Sequence, residues 1–116
     1  NPGNFIEGAM GNSGTYQWTR YGIPTVAYGE WHHATMSFDG ADRRFYYDGV
    51  RVGPPTSFPG PIHYTDQPLV IGADFGSTPV ATAFDGVLDQ VALWDRALEP
   101  DEISSLYNGG AGVTLP

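Results

Sequence analysis

The chain has 116 residues, with 13 acidic residues against 5 basic ones, and its formal net charge at pH 7 is −8. A surface of this sign repels nucleic acid phosphates and anionic lipid headgroups, which argues against nucleic acid partners. No apolar run approaches the length that spans a membrane, so membrane insertion is not expected. The absence of cysteine excludes disulfide bonds, thiolate catalysis and zinc sites built on cysteine. Sixteen glycines, ten prolines and many aromatic residues are typical of short strands joined by tight turns, so an all-β fold is expected.

Four strands are predicted in the first third of the chain. Three short ones cover Asn4–Met10, Thr15–Arg20 and Pro24–Tyr28, and turn-forming residues separate them. The fourth covers Trp31–Phe38, where successive residues would lie alternately on the two faces of a strand.

Two consecutive hairpins are predicted in the middle of the chain. Asp39–Asp42 forms a turn, and Arg43–Tyr47 is the next strand. The pair Asp48-Gly49 favours a two-residue type I′ turn leading into a strand over Val50–Val52. The stretch Gly53–Gln67 is rich in proline, which cannot donate a hydrogen bond to a neighbouring strand, so it is predicted to be a loop.

The last third of the chain is predicted to hold two strands and a helix. The strands cover Pro68–Gly72, expected to be short and buried, and Phe84–Arg96, which alternates over its whole length. A short helix is predicted at about residues 100–107, because a proline opens it, acids fill its first turn and glycines follow it. Residues 1–116 are expected to form one domain, with 110–116 as a tail or linker.

A series of short motifs lies in a fixed order along the chain. They are Gly29-Glu30-Trp31-His32-His33-Ala34, Phe38-Asp39-Gly40, Phe45-Tyr46-Tyr47-Asp48-Gly49, Pro68-Leu69-Val70-Ile71-Gly72, Phe84-Asp85-Gly86-Val87-Leu88-Asp89, Trp94-Asp95-Arg96-Ala97-Leu98 and Pro100-Asp101-Glu102-Ile103. Together they resemble the laminin G-like and pentraxin-like families of concanavalin A-like sandwiches, over roughly residues 29–110. The resemblance implies an antiparallel two-sheet jelly roll with a short C-terminal helix, in a secreted or cell-surface protein that binds rather than catalyses.

The resemblance also implies that some N-terminal strands are lacking, because the Trp-His strand of these families lies past the middle of the domain. A sheet with an open edge exposes unpaired amides and carbonyls, and strands from another chain would satisfy them. Three alternatives stay open. The chain is a piece of a longer protein, it is completed by a neighbouring chain, or it is a compact variant in which residues 4–28 supply the only early strands.

The sequence predicts no catalytic residues. Asp89 and Asp95 lie on one predicted strand, six residues apart, which separates them by roughly 20 Å, whereas the paired carboxyl groups of glycosidases lie about 5–9.5 Å apart. His32 and His33 are adjacent on a strand, so they point to opposite faces and cannot bind one metal ion together. The chain is therefore not expected to be an enzyme.

Calcium is the one cofactor that the resemblance implies. Asp74 matches a position that carries a calcium ligand in pentraxin-like relatives, although Ala73, Phe75 and Gly76 beside it offer no further side-chain oxygen. A solvated loop acid is the alternative for Asp74. The resemblance also implies that Asp89 is a structural acid, in a buried position where it bonds loop amides, with metal binding as the alternative.

Four aromatic residues of the N-terminal part are candidates for ligand contact through stacking on a sugar: Tyr16, Trp18, Tyr21 and Tyr28. Core packing is the alternative for each. The favoured function is a non-catalytic, extracellular lectin-like module for recognition or adhesion, with a glycan or a protein as ligand. The alternative is a structural subunit of an oligomer or extracellular filament, completed by strands from neighbouring chains.

Overall fold

The computed structural model describes most of the chain and divides it into two compact units. The described residues are 3–12, 14–24, 26–27, 29–58, 60–64, 66, 68–73 and 83–114. One unit combines Asn1–His63 with Trp94–Pro116, and the other is Tyr64–Leu93. All of the strands and helices found in the described residues lie in the first unit.

The first unit begins with a β-hairpin. Strand β1 covers Phe5–Asn12 and pairs with β2, Thr15–Gly22, in an unbroken antiparallel register. Both strands were predicted. Each ends two residues later than expected, because the pairing of β1 continues up to the turn and the pairing of β2 continues to Gly22. The strand predicted over Pro24–Tyr28 is not formed at its described residues, and Tyr28 itself lies outside them.

A three-stranded antiparallel sheet follows, with the strands in chain order. It consists of β3, Ala34–Phe38, β4, Asp42–Tyr47, and β5, Val50–Ser57. Between β4 and β5, Asp48 has a φ of 49° and Gly49 a φ of 79°, and positive φ at both central residues is the mark of a type I′ turn. The turn predicted from Asp48-Gly49 is confirmed.

Strand β5 corrects the predicted loop, because it continues through two prolines to Ser57. Val52 pairs with Phe45 and Thr56 with Arg43, so three residues of β5, 53–55, stand opposite the single residue 44. They form a bulge. Proline is tolerated there because β5 is an edge strand and a bulge releases its residues from the pairing pattern.

The hairpin packs on the three-stranded sheet through a glycine. A Cβ atom at Gly8 of β1 would lie 2.8 Å from the Phe45 ring and 2.9 Å from the Met36 sulfur. On β4, the adjacent residues Phe45 and Tyr46 are both buried, and since neighbours on a strand point to opposite faces, β4 is covered on both sides. The predicted all-β arrangement of two antiparallel sheets with a short C-terminal helix is confirmed.

The helix α1 covers Pro100–Tyr107 and is followed by a 3₁₀ turn, Asn108–Gly110. It starts with a capping box, in which Glu99 and Glu102 each bond the other's backbone N–H, and it buries Ile103. Its position matches the predicted one. In the part of the chain that the structure describes, no helix is long and apolar enough to cross a membrane.

The capping box gives a pH-dependent prediction. The Arg96 guanidinium, bonded to both Glu102 carboxylate oxygens at 2.7 and 2.8 Å, and the Glu99 N–H lower the pKa of Glu102 from 4.5 to about 2. Its stabilising contribution is therefore complete above pH 4.5 and is lost as pH falls through about 2. In thermal denaturation, Glu102→Gln is expected to lower Tm at pH 6, and the difference from wild type should disappear near pH 2. Asp101→Asn is the control, and an equal pH dependence in that variant would contradict the assignment.

The second unit contains no strand among its described residues, which corrects two predictions. The segment predicted as the buried strand Pro68–Gly72 is largely exposed, and Phe84–Leu93 is exposed at every residue except Ala92, which is half-buried. The backbone bond from Phe84 N to Gly72 O, 2.7 Å, joins the two segments. Alternation of residues creates two faces, but a strand also needs a neighbour that pairs with its amides and carbonyls. The described part of this unit supplies none.

Candidate functional site

The outward side of the first hairpin carries exposed aromatic residues. On β2, Tyr16, Trp18 and Arg20 share one face because side chains alternate along a strand. Tyr16 and Trp18 are 68% and 67% exposed. Across the hairpin they pair with Gly11 and Ala9 of β1, so two large rings stand opposite two of the smallest residues.

The small residues of β1 decide how the rings lie. A Cβ atom at Gly11 would meet Cε1 of Tyr16 at 3.3 Å, which means that the Tyr16 ring rests against the bare backbone of Gly11. A larger residue at this position would push the ring away. We call this surface the hairpin face; its members are Phe5, Glu7, Ala9, Gly11, Tyr16, Trp18 and Arg20.

A charged pair lies beside Trp18 on the hairpin face. Arg20 Nε donates to Glu7 Oε2 at 2.5 Å, and the Arg20 guanidinium carbon lies 3.9 Å from the centre of the Phe5 ring. The Arg20 side chain is mostly exposed and that of Glu7 is about three-quarters buried. The ion pair and the cation–π contact together hold the guanidinium in place next to the aromatic rings.

The side chain of Tyr21 points to the opposite side of β2 and lies between the two sheets. Its hydroxyl donates to the Pro54 carbonyl oxygen at 2.8 Å and lies 2.9 Å from Thr56 Oγ1. Its ring packs edge-on against Phe45, with 6.0 Å between the ring centres, and a Cβ atom at Gly53 would collide with it at 2.5 Å. Tyr21 therefore clamps β2 to the bulge of β5 and is not part of the hairpin face.

A buried arginine, which the sequence analysis missed, joins the same two sheets. Arg43 is fully buried. Its Nη1 donates to the Gln17 carbonyl oxygen at 2.9 Å, and its Nη2 donates to Thr19 Oγ1. Burial lowers the pKa of Arg43, and the nearby Tyr21 opposes this shift. The signal in the sequence was weak: two adjacent arginines in a strand mean that one of them faces inward.

The two adjacent histidines both bond the Asp48 carboxylate, but through different atoms. His32 Nδ1 lies 2.9 Å from Asp48 Oδ2, and its ring stacks on Tyr47 at 5.2 Å. His33 instead donates its backbone N–H to Asp48 Oδ1, while its ring lies 6.5 Å from that of Tyr107. The cluster fixes the start of β3 to the β4–β5 turn. Burial, followed by the charge of Asp48, raises the pKa of the Tyr47 hydroxyl.

Among the described residues, the predicted acidic side chains do not form a metal centre. Asp74 lies outside the described residues, so a calcium site there stays a prediction. Asp89 is exposed and accepts a bond from the Gln90 N–H at 2.8 Å, which corrects its predicted burial. The cause is the missing strand pairing of this segment. Across the described residues, no group of three or more His, Asp or Glu side chains could hold a metal ion.

The family match agrees with this architecture, and two known proteins are similar to the chain. The family described as the "Concanavalin A-like lectin/glucanases superfamily", a laminin G-like family, matches residues 3–104. Neuronal pentraxin-2 of Cavia porcellus is 30% identical over 93 residues, 72% of this chain and 21% of that protein. An S-layer domain-containing protein (residues 221–444) from Clostridium thermocellum is 26% identical, with a TM-score of 0.49, over 89% of this chain and 51% of that one.

The chain thus spans about one fifth of the curated relative and about half of the solved structure. Because the family match extends over nearly the whole chain, the resemblance to laminin G-like and pentraxin-like proteins is confirmed. The chain belongs to the laminin G-like family of the concanavalin A-like lectin/glucanases superfamily.

Proposed function

We propose that this chain is a non-catalytic glycan-recognition module of an extracellular or cell-surface protein, and that the hairpin face contacts the sugar. The observation that carries the proposal is the exposure of Tyr16 and Trp18, side by side on one face of β2. Exposed aromatic residues on a regular strand keep apolar area in contact with water, and adjoining ones mark a binding surface.

The chemistry of the hairpin face suits a sugar. A pyranose ring has C–H groups on its faces and hydroxyls around its rim. An aromatic ring can therefore contact the C–H groups while polar side chains bond the hydroxyls. Tyr16 and Trp18 supply the rings. The exposed Arg20 guanidinium beside Trp18 supplies donors for rim hydroxyls, and the Glu7 carboxylate to which it is bonded supplies acceptors.

The family membership supports the class of function. The superfamily to which the chain belongs takes its description from lectins and glucanases. For a glucanase, paired carboxyl groups at about 5–9.5 Å would be needed, and the hairpin face has a single carboxylate, Glu7, which is held by Arg20. The recognition role is therefore the better account of this surface.

Replacement of Trp18 by alanine tests the proposal. We expect the wild-type chain to bind at least one oligosaccharide in a glycan array, and Trp18→Ala to weaken that binding by about tenfold or more, because buried aromatic contacts dominate such interfaces. Titration calorimetry gives the affinities. Trp31→Ala is the matched control, since Trp31 is 60% exposed but lies off the hairpin face.

Three results would contradict the proposal. They are the absence of any glycan ligand for the folded wild-type chain, binding that survives Trp18→Ala unchanged, and equal losses in Trp18→Ala and Trp31→Ala. Circular dichroism of both variants shows whether the fold is retained.

A second candidate function, a structural subunit completed by strands of other copies, rests on the second unit. Its segment 83–93 has an alternating pattern and no strand pairing, and three apolar residues of one face, Val87, Val91 and Leu93, are exposed. Strand addition from a neighbour would cover them. Sedimentation equilibrium separates the candidates, because a monodisperse monomer over a wide concentration range contradicts assembly.

A further inference from the structure

The two rings of the hairpin face form a linear contact surface. Tyr16 and Trp18 are two positions apart on a straight, regularly paired strand, which places their backbone attachments roughly 7 Å apart along β2. Both rings are about two-thirds exposed. A ligand with two consecutive sugar rings can therefore contact both aromatic residues at once, whereas a single ring contacts one of them.

The charges of the hairpin face cancel. It carries one acid and one base, Glu7 and Arg20, which are bonded to each other at 2.5 Å. An anionic sugar would have to compete with the Glu7 carboxylate for Arg20, and it would approach a chain with a net charge of −8. Both effects disfavour a negatively charged ligand.

We infer that the hairpin face selects neutral sugar chains of at least two rings, and that Glu7 sets this preference by neutralising Arg20. The inference rests on the proposed glycan recognition and adds the ligand class to it. Glu7 acts as a specificity-determining residue. Because Arg20 is also held by the Phe5 ring, 3.9 Å from its guanidinium carbon, the guanidinium stays on this face when the carboxylate is removed.

The variant Glu7→Gln isolates the charge, because glutamine keeps the shape of glutamate. Probes are neutral cello-, malto-, xylo- and manno-oligosaccharides of one to six rings, together with oligogalacturonates of the same lengths, with affinities from titration calorimetry. The wild-type chain is expected to bind a neutral series, with affinity rising about tenfold from one ring to two or three, and to be insensitive to salt up to about 0.5 M.

In Glu7→Gln, binding of oligogalacturonate is expected to rise by about fivefold or more at low salt, and the gain should vanish at about 0.5 M salt because charge attraction is screened. Two variants serve as controls. Glu30→Gln makes the same change in net charge away from the hairpin face, and Glu7→Gln combined with Arg20→Gln removes both charges. Neither is expected to bind oligogalacturonate better than the wild type.

The outcomes separate the inference from the function on which it rests. Salt-sensitive preference of the wild type for oligogalacturonate, an equal gain in Glu30→Gln, or equal affinity for one ring and for three would overturn the inference and leave glycan recognition standing. Absence of binding to every probe would overturn the proposed function itself. If Glu7→Gln does not fold, the wild-type salt series still decides the charge preference.

Discussion

Phe45→Ala is expected to lower the free energy of unfolding by about 3–5 kcal/mol, because it removes a large ring from a well-packed core and leaves a cavity. Phe45 is 1% exposed, and its ring contacts the Tyr21 ring and fills the space that the missing side chain of Gly8 leaves open. It therefore joins both strands of the hairpin to the central strand β4.

Urea denaturation followed by tryptophan fluorescence measures this loss. A domain of this size has a total stability of about 5–15 kcal/mol, so the variant is expected to be marginally folded or unfolded at 37 °C. Phe5→Ala is the control, because Phe5 lies on the exposed face of the same hairpin, and a loss below about 1 kcal/mol is expected there. Equal losses in the two variants would contradict this account, because the buried ring of Phe45 would then contribute no more than the exposed ring of Phe5.

Arg43→Lys is expected to destabilise the chain more than Arg43→Met does. The guanidinium satisfies two groups of β2 at once, the Gln17 carbonyl and the Thr19 hydroxyl. A lysine ammonium is a compact, strongly hydrated charge that cannot reproduce this fork, and burying it costs free energy. Methionine leaves the same two groups unbonded but brings no charge, and its loss is expected to be about 1–3 kcal/mol.

Chemical denaturation of the two variants beside the wild type provides the comparison. Arg43 has no carboxylate among its described hydrogen-bond partners, so the geometry of its donors, and not an ion pair, is its contribution. A lysine variant as stable as the wild type would contradict this account, because it would mean that a positive charge alone suffices at this position.

The contacts of Arg43 and Tyr21 explain why the hairpin face stays exposed. Arg43 and Tyr21 hold β2 by its inward side, through the Gln17 carbonyl, Thr19 and the bulge of β5. The outward side of the same strand takes no part in this anchoring. The proposed recognition and the stability of the fold thus use opposite faces of one strand, and Trp18→Ala is expected to change binding with little change in the urea midpoint.

Elements governed by neighbouring residues were predictable from the sequence. The turn Asp48-Gly49 demands two residues that accept positive φ, and the helix Pro100–Tyr107 carries its start signals within four residues. Both are where the sequence places them. The two strands of the first hairpin were also predictable, because the residues between them form a turn, although each strand ends two residues later than predicted.

Elements that depend on distant partners were not predictable. The prolines after Val52 indicate a loop when read alone, but the strand continues because the Tyr21 hydroxyl, more than 30 residues away, bonds the bulge that contains them. The segment Phe84–Arg96 is the opposite case, because its sequence predicts a strand that the structure does not form. Its alternation is that of a strand, yet the described chain offers it no neighbour to pair with, and it remains exposed.

The sequence by itself determined the strand-and-turn character of the chain, its helix, its family motifs and the alternation that separates Tyr16 and Trp18 from Tyr21. Only the tertiary structure decided which of these faces points outward. Alternation divides a strand into two sides without saying which one is buried. That choice was made by the bond of Tyr21 to the bulge of β5 and by the bond that Arg43 of β4 donates to β2, because a buried polar group must find its partners wherever the chain brings them.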